Sequence, residues 1–348
     1  MSDEQNKRTD ISELGEFGLI DRLTKDHVPQ HKSTVKGVGD DAAVIDNGNF
    51  KTIITTDLLI EGIHFDLVYT PLKHLGYKAV VVNLSDVYAM NGTPKQITVS
   101  LGLSNRFSVE AIEEIYAGIY KACEFYGVDL IGGDTTSSNR GLIISVTAIG
   151  QAESDKIVYR HTAKEGDLIC ASGDFGAAYL GLQILEREKQ IYMEHPGLQP
   201  ELKGKDYLIG RLLKPEARAD MIKQFAKAEL IPTSMIDVSD GLASELFHIC
   251  KNSNVGAYLE EGNISIHNET YQTAVEFKID PTLCALSGGE DYELLFTVAP
   301  EDLDKVRFMH DIYIMGEIVS KADGIKLHTK GGNIHDLKAQ GWVHFGNE

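Results

Sequence analysis

Acidic residues recur in this chain where apolar segments run into turns. Five short runs share the design: Gly39-Asp40-Asp41, Thr55-Thr56-Asp57, Leu84-Ser85-Asp86, Gly132-Gly133-Asp134 and Asp237-Val238-Ser239-Asp240-Gly241. Asp is common in turns and at helix N-caps, where its carboxylate accepts backbone N–H bonds, so any single run has a purely structural explanation. Their repetition points to carboxylates gathered for divalent cations. Asp86 is the sharpest case, because it is in register with Leu75, Ala79 and Val82 on the apolar stripe of one expected helix. An ionised carboxylate there needs a cation, and positions 82, 83, 89 and 90 are Val, Asn, Ala and Met. The competing explanation is a helix that ends early and exposes Asp86. Asp240 precedes Gly241-Leu242-Ala243-Ser244-Glu245 and would make an ordinary N-cap. Gly132 and Gly133 would let backbone approach a ligand beside Asp134, and the hydroxyls of 135–138 suit a phosphate with its cation. His64, seven residues beyond Asp57, could reach the same cleft.

The charge balance supports this reading. Lys plus Arg number 33 against 52 Asp plus Glu, a net charge of −19, which excludes nucleic acid as a natural partner. If such a chain binds a polyphosphate, carboxylate-held divalent cations are the obvious countercharge. No Gly-x-x-x-x-Gly-Lys-Ser/Thr loop, His-Glu-x-x-His or Gly-x-Ser-x-Gly motif occurs. Gly173-x-x-Gly176 before a helix is as well explained by a tight turn. Cys123, Cys170, Cys250 and Cys284 lie far apart with no Cys-x-x-Cys pair, the pattern of buried free thiols. No apolar run approaches the ~20 residues that span a bilayer. The polar stretch Met1 to Arg8 has no apolar block behind it, which gives the cytoplasm as the expected location.

The elements that must position these residues read as an α/β (α+β) chain of two domains, 1–150 and 151–348, the length expected at roughly 150 residues each. Residues 11–25 suggest a short amphipathic helix. Strand signals at 42–45 and 52–56, the latter ending at Asp57, precede a helix over 71–90 with Pro71 in its first turn. A strand at 96–103 leads to a helix capped by Ser108 and running to about 126. Strands at 128–131 and 142–149 then flank a Gly/Asp/Thr/Ser loop. After a charged boundary over 151–167, a strand at 168–171 feeds a helix through 185. The polar stretch 186–205 reads as an exposed helix end and loop. A helix at 215–228, a strand at 235–238 and a helix at 242–251 follow.

Taken in order, these segments resemble the thiamine-monophosphate kinase family, in the superfamily of aminoimidazole ribonucleotide synthetase and selenophosphate synthetase. The likeness runs through Gly15-Glu16-Phe17, Asn83-Leu84-Ser85-Asp86, Gly132-Gly133-Asp134, Ser287-Gly288-Gly289-Glu290-Asp291-Tyr292-Glu293-Leu294 and the closing Gly341-Trp342-Val343-His344-Phe345. It implies an N-terminal mixed sheet that binds ATP and Mg²⁺ and dimerises, and a C-terminal α/β domain that completes the active site. The implied reaction is ATP-dependent phosphorylation of thiamine monophosphate in a homodimer that uses several Mg²⁺ ions. Asp41, Thr55, Thr56, Asp57, Asp86, Asp134, Asp237 and Asp240 match metal positions, with Asp57, Asp86 and Asp134 central to catalysis. Gly133, Asp134, Arg160 and Ser239 match positions near ATP, with Tyr126 beside the adenine. His64 and Glu290 match substrate contacts, and Trp342 takes the stacking role where relatives carry an aromatic at the position of Ala339. Another ATP-dependent enzyme of the superfamily and a noncatalytic Mg²⁺–nucleotide module are the alternatives.

Overall fold

The computed structural model of the chain describes residues 11–338. The first sheet comprises β1 (Thr34–Lys36), β2 (Ala43–Asp46), β3 (Phe50–Ile60), β4 (Thr93–Leu103), β5 (Asp129–Ser137) and β6 (Ile143–Glu153), in the order β1-β2-β3-β6-β4-β5. Its pairings are antiparallel except β4 with β5, which are joined by helix α3 (Val109–Tyr126). A parallel pair requires such a crossover. The sequence marks both ends of α3: the Ser108 hydroxyl accepts from the Ala111 N–H at 3.3 Å, and Gly127 closes the helix at φ +68°. Helix α1 (Ile11–Thr24) precedes this sheet and is broken at Gly15, whose φ is +65°.

Helix α2 (Leu72–Ala89) is the central element. It is buried along most of its length, from Leu75 to Ala89, and Lys78, Asn83 and Ser85 are buried within it. A helix apolar on nearly every side must be enclosed on every side, so polar residues inside it need partners. It packs on the sheet through Leu75, Val80, Leu84, Ile53, Val99 and Val146. Against α3 the approach is close: a Cβ on Gly76 would lie 1.9 Å from the Ile115 carbonyl, and one on Gly118 would lie 1.9 Å from that of Lys73.

The second sheet holds β7 (Leu168–Ser172), β8 (Ser234–Asp237), β9 (Gly256–Glu260), β10 (Leu294–Val298), β11 (Ile312–Val319), β12 (Ile325–His328) and β13 (Ile334–Asp336), ordered β13-β12-β9-β11-β7-β10-β8. The accompanying helices are α4 (Ala177–Glu194), α5 (Asp206–Leu213), α6 (Ala219–Ala228), α7 (Leu242–Ser253), α8 (Asn268–Glu276), α9 (Pro281–Ser287) and α10 (Leu303–Arg307). Ile169, Phe175, Ile236, Leu246 and Leu295 form its core. All four cysteines are free and buried.

Several expectations are corrected. β3 continues to Ile60, so Asp57 lies inside a strand and not at its end. Residues 132–137, expected as loop, belong to β5, whose main-chain bonds to β4 hold them extended. Residues 215–218 precede α6, and α4 continues through Glu194. Asp240 does not cap α7; Gly241 occupies that position, and the Asp240 N–H is bonded at 3.2 Å to the Glu245 side chain. Elements β1 and α5, and every element from β9 onward, were not assigned from sequence.

Candidate active site

α2 faces both halves of the chain, and the acids converge on it. One carboxylate oxygen each from Asp41, before β2, Asp86, on α2, and Asp237, at the end of β8, lie within 4.8 Å of one another. Every member is oriented. The Thr55 hydroxyl donates to Asp86 Oδ2 at 2.5 Å, and the Ser85 hydroxyl donates to Asp237 Oδ2 at 2.6 Å, which links α2 to the second sheet. The Asn83 side-chain amide donates to the Ala79 carbonyl at 3.0 Å, and its oxygen accepts from the Asp57 N–H at 2.9 Å. Arg160 pairs with Asp41 Oδ1 and lies 3.6 Å from Asp40. Asp41 Oδ2 is buried without a hydrogen-bond partner.

Burial governs the electrostatics. It pushes the Asp41 carboxyl up to about 8, against the pull of Arg160 and with reinforcement from Asp237 and Asp40. Burial, Asp237 and Glu16 push Asp57 to about 6. Asp86 is raised by burial and then by Asp57, Asp237 and Asp41, and Asp237 is raised by burial despite Ser85 and Arg160. Buried Glu245 is raised by burial and the nearby acids. Five buried carboxyl groups with one arginine among them form a set that a divalent cation would satisfy, and the unpartnered Asp41 oxygen fits that conclusion.

Strand alternation sorts the remaining candidates. Thr55 and Asp57 share the helix-covered face with Ile53, whereas Thr56 points to the opposite face, where the Thr147 hydroxyl bonds it at 3.1 Å. Asp134 pairs across β5 with Ser100 and is exposed on that open face. It lies three strands from Asp57, roughly 14 Å at ordinary strand spacing. Within one copy, Thr56 and Asp134 are therefore outside the acid cluster. Gly133 and Asp134 line a separate concavity of about 480 Å³ with Tyr116 and Gly132. A Cβ on Gly133 would meet the Val99 carbonyl at 1.7 Å.

Tyr126 does not line that concavity. Its hydroxyl donates to Glu216 at 2.8 Å and accepts from the Ala217 N–H at 2.8 Å, while its ring packs near Tyr77, Tyr88 and Phe125. Tyr116, ten residues earlier on the same helix, offers the aromatic face there. The loop carrying Glu290 is laced to the end of β8: the Glu290 N–H donates to the Ser239 carbonyl at 2.6 Å and the Tyr292 N–H to that of Val238 at 2.8 Å. Glu290 thus neighbours Ser239, Asp240 and Asp237, and its carboxylate pairs with Lys78. His64 lies in the turn after β3, where Nδ1 accepts from the Ile60 N–H at 3.0 Å. Trp342 and Ala339 lie outside the described residues. Sequence reasoning had no role for Asn83, Ser85 or Lys78; the available signal was three polar residues inside an otherwise apolar helix.

Two α/β halves meet at this acidic seam, and within the first of them residues 39–152 match the family described as AIR synthase related protein, N-terminal domain. The thiamine-monophosphate kinase of Aquifex aeolicus is 35% identical over 335 residues, covering 96% of this chain and 99% of that protein. The Bacillus subtilis thiamine-monophosphate kinase is 35% identical over 298 residues, covering 84% of this chain and 86% of that protein. A solved structure of AaThiL complexed with AMPPCP and TMP has a TM-score of 0.81 at 33% identity, covering 97% of this chain and 99% of that one. The chain belongs to the thiamine-monophosphate kinase family.

Proposed function

We propose that the protein transfers the γ-phosphoryl group of ATP to the phosphate of thiamine monophosphate, giving thiamine diphosphate. The observation that carries the reading beyond family membership is the convergence of Asp41, Asp86 and Asp237 from separate parts of the chain within 4.8 Å. Mg²⁺ held by these acids with Thr55 and Asp57, together with further Mg²⁺ held by Thr56, Asp134 and Asp240, would neutralise the repulsion between two anionic phosphates. The chain's own groups then act as positioners. Asn83 and Ser85 fix Asp57 and Asp237; Arg160, whose Nε has no hydrogen-bond partner, is a cation for the nucleotide phosphates. Gly133 admits backbone close to ATP, Ser239 borders the same seam, and Tyr116 rather than Tyr126 supplies a flat face for the base. Glu290 with Trp342 and His64 would recognise the thiamine end. The acceptor is a phosphomonoester with a second pKa near ~6, already largely dianionic at neutral pH, so no strong general base is required.

A homodimer belongs to the same proposal. Asp134 and Thr56 share the open face of the first sheet with exposed Leu58, and a second copy laid on that face would bring one copy's Asp134 toward the other's acids. The N-terminal half, 1–150, would then bind ATP and Mg²⁺ and dimerise, while 151–348 completes the site. ATP as phosphoryl donor makes the cytoplasm the proposed site of action, and no helix among the described residues is long and apolar enough to cross a membrane. The test is ADP release with and without thiamine monophosphate and Mg²⁺. Turnover requiring both, and lowered at least about a hundredfold by Asp86→Asn, is expected; ADP release indifferent to thiamine monophosphate would refute the assignment.

A further inference from the structure

We propose that Lys78 is a positioning residue for acceptor binding, holding the Glu290 carboxylate at the seam between the two halves. The inference rests on the reading of Glu290 as a thiamine-monophosphate contact. Lys78 is 4% exposed on α2, an unusual environment for lysine. Its ammonium donates to the Leu212 carbonyl at 3.2 Å and to Glu290 Oε2. One cation from the N-terminal half thereby ties together the end of α5 and the loop before β10.

That loop needs an external constraint. Glu290 has φ +66° and Tyr292 φ +51°, left-handed conformations that non-glycine residues keep where their surroundings enforce them. Main-chain bonds to Ser239 and Val238 fix the backbone, but they leave the glutamate side chain free to rotate. The bond from Lys78 supplies that restraint, and the Glu290 side chain keeps 31% exposure, so part of the carboxylate stays accessible to a ligand. The pair carries no net charge. Glu290 therefore meets a cationic thiazolium or an amino group as an oriented acceptor and not as a free counter-ion. Asp86 lies eight residues farther along α2, about 12 Å of helix axis, so the same rigid element would set both the acceptor end and the phosphoryl-transfer end of the site.

The test is steady-state ADP release by the full chain, varying thiamine monophosphate and ATP separately, for Lys78→Met, Glu290→Gln and the double variant. Lys78→Met is expected to raise the KM for thiamine monophosphate at least about tenfold while changing the KM for ATP less than about twofold. In the Glu290→Gln background the same replacement should add less than about twofold, because its effect passes through Glu290. Equal increases in both KM values, or fully multiplicative effects, would reduce Lys78 to a structural tie and overturn the proposal. A raised KM in Glu290→Gln with an unaltered one in Lys78→Met overturns the role of Lys78 alone; an unaltered KM in Glu290→Gln overturns the reading of Glu290 as well. If Lys78→Met does not fold, Lys78→Arg keeps the tie but relocates the charge, and should raise the KM for thiamine monophosphate selectively. An unchanged KM in that folded variant refutes the idea.

Discussion

Asp41 loses its water shell on folding and receives Arg160 at one oxygen only, while Asp237 and Asp40 add like charge nearby. Desolvation and like charge both favour the protonated carboxyl, which is why Asp41 rises to about 8 and Asp57 to about 6. The folded protein then holds these protons more tightly than the unfolded chain, where the groups titrate near 3.8. Their contribution to stability is complete below that value and is lost as pH rises through the folded-state values. Cation binding must displace the same protons, so it strengthens in the opposite direction. The stabilisation given by saturating Mg²⁺, measured as a shift in melting temperature, should therefore be larger at about pH 8 than at about pH 6. Asp41→Asn should reduce that difference. A Mg²⁺ shift independent of pH, or none, would remove the acids from cation binding.

Helix α2 explains why one element carries so many roles. Enclosure by the sheet, by α3 and by the second half makes it rigid, and its polar residues hold Asp57, Asp237 and Glu290 in turn. Its placement against α3 depends on Gly76 and Gly118, where an added methyl would overlap backbone carbonyls that cannot swing away. Gly118→Ala should destabilise the protein by about 1–3 kcal/mol and weaken Mg²⁺ binding, because separating the helices displaces Asp86 and Ser85. Chemical denaturation together with Mg²⁺ titration checks this; unchanged stability would mean that the two helices are free to separate. The periodicity over 71–90 located α2 to within a residue at each end. Its interior polar residues read on sequence as interruptions of a stripe, since their partners lie up to 212 residues away.

At the scale of the molecule, the candidate ligands split into two groups. Asp57, on the helix-covered face of the first sheet, gathers with Asp41, Asp86 and Asp237, whereas Thr56 and Asp134 lie on the open face. A second copy is the proposed means of reuniting them, and Leu58, 49% exposed on that face, is the residue to probe. Sedimentation should find a dimer at micromolar concentration. Leu58→Glu should shift it to monomer with loss of turnover, because a desolvated carboxylate at an apolar contact is unfavourable. A fully active monomeric Leu58→Glu would show that a single copy suffices.

The sequence by itself determined most of the element order through α7, the acidic character of the site and the family, because alternation, capping and local motifs are written in neighbouring residues. Asp86 could be picked out for the same reason, as a charge at a position where helical period demands a hydrophobe. Only the tertiary structure decided that Thr55 takes the helix-covered face and Thr56 the open face of a longer β3, that Tyr126 is tied to Glu216 while Tyr116 lines the concavity, and that Lys78 reaches Glu290. Strand length, sheet order and the packing of α2 between two halves set those relations, and each arises from contacts between residues far apart in the chain.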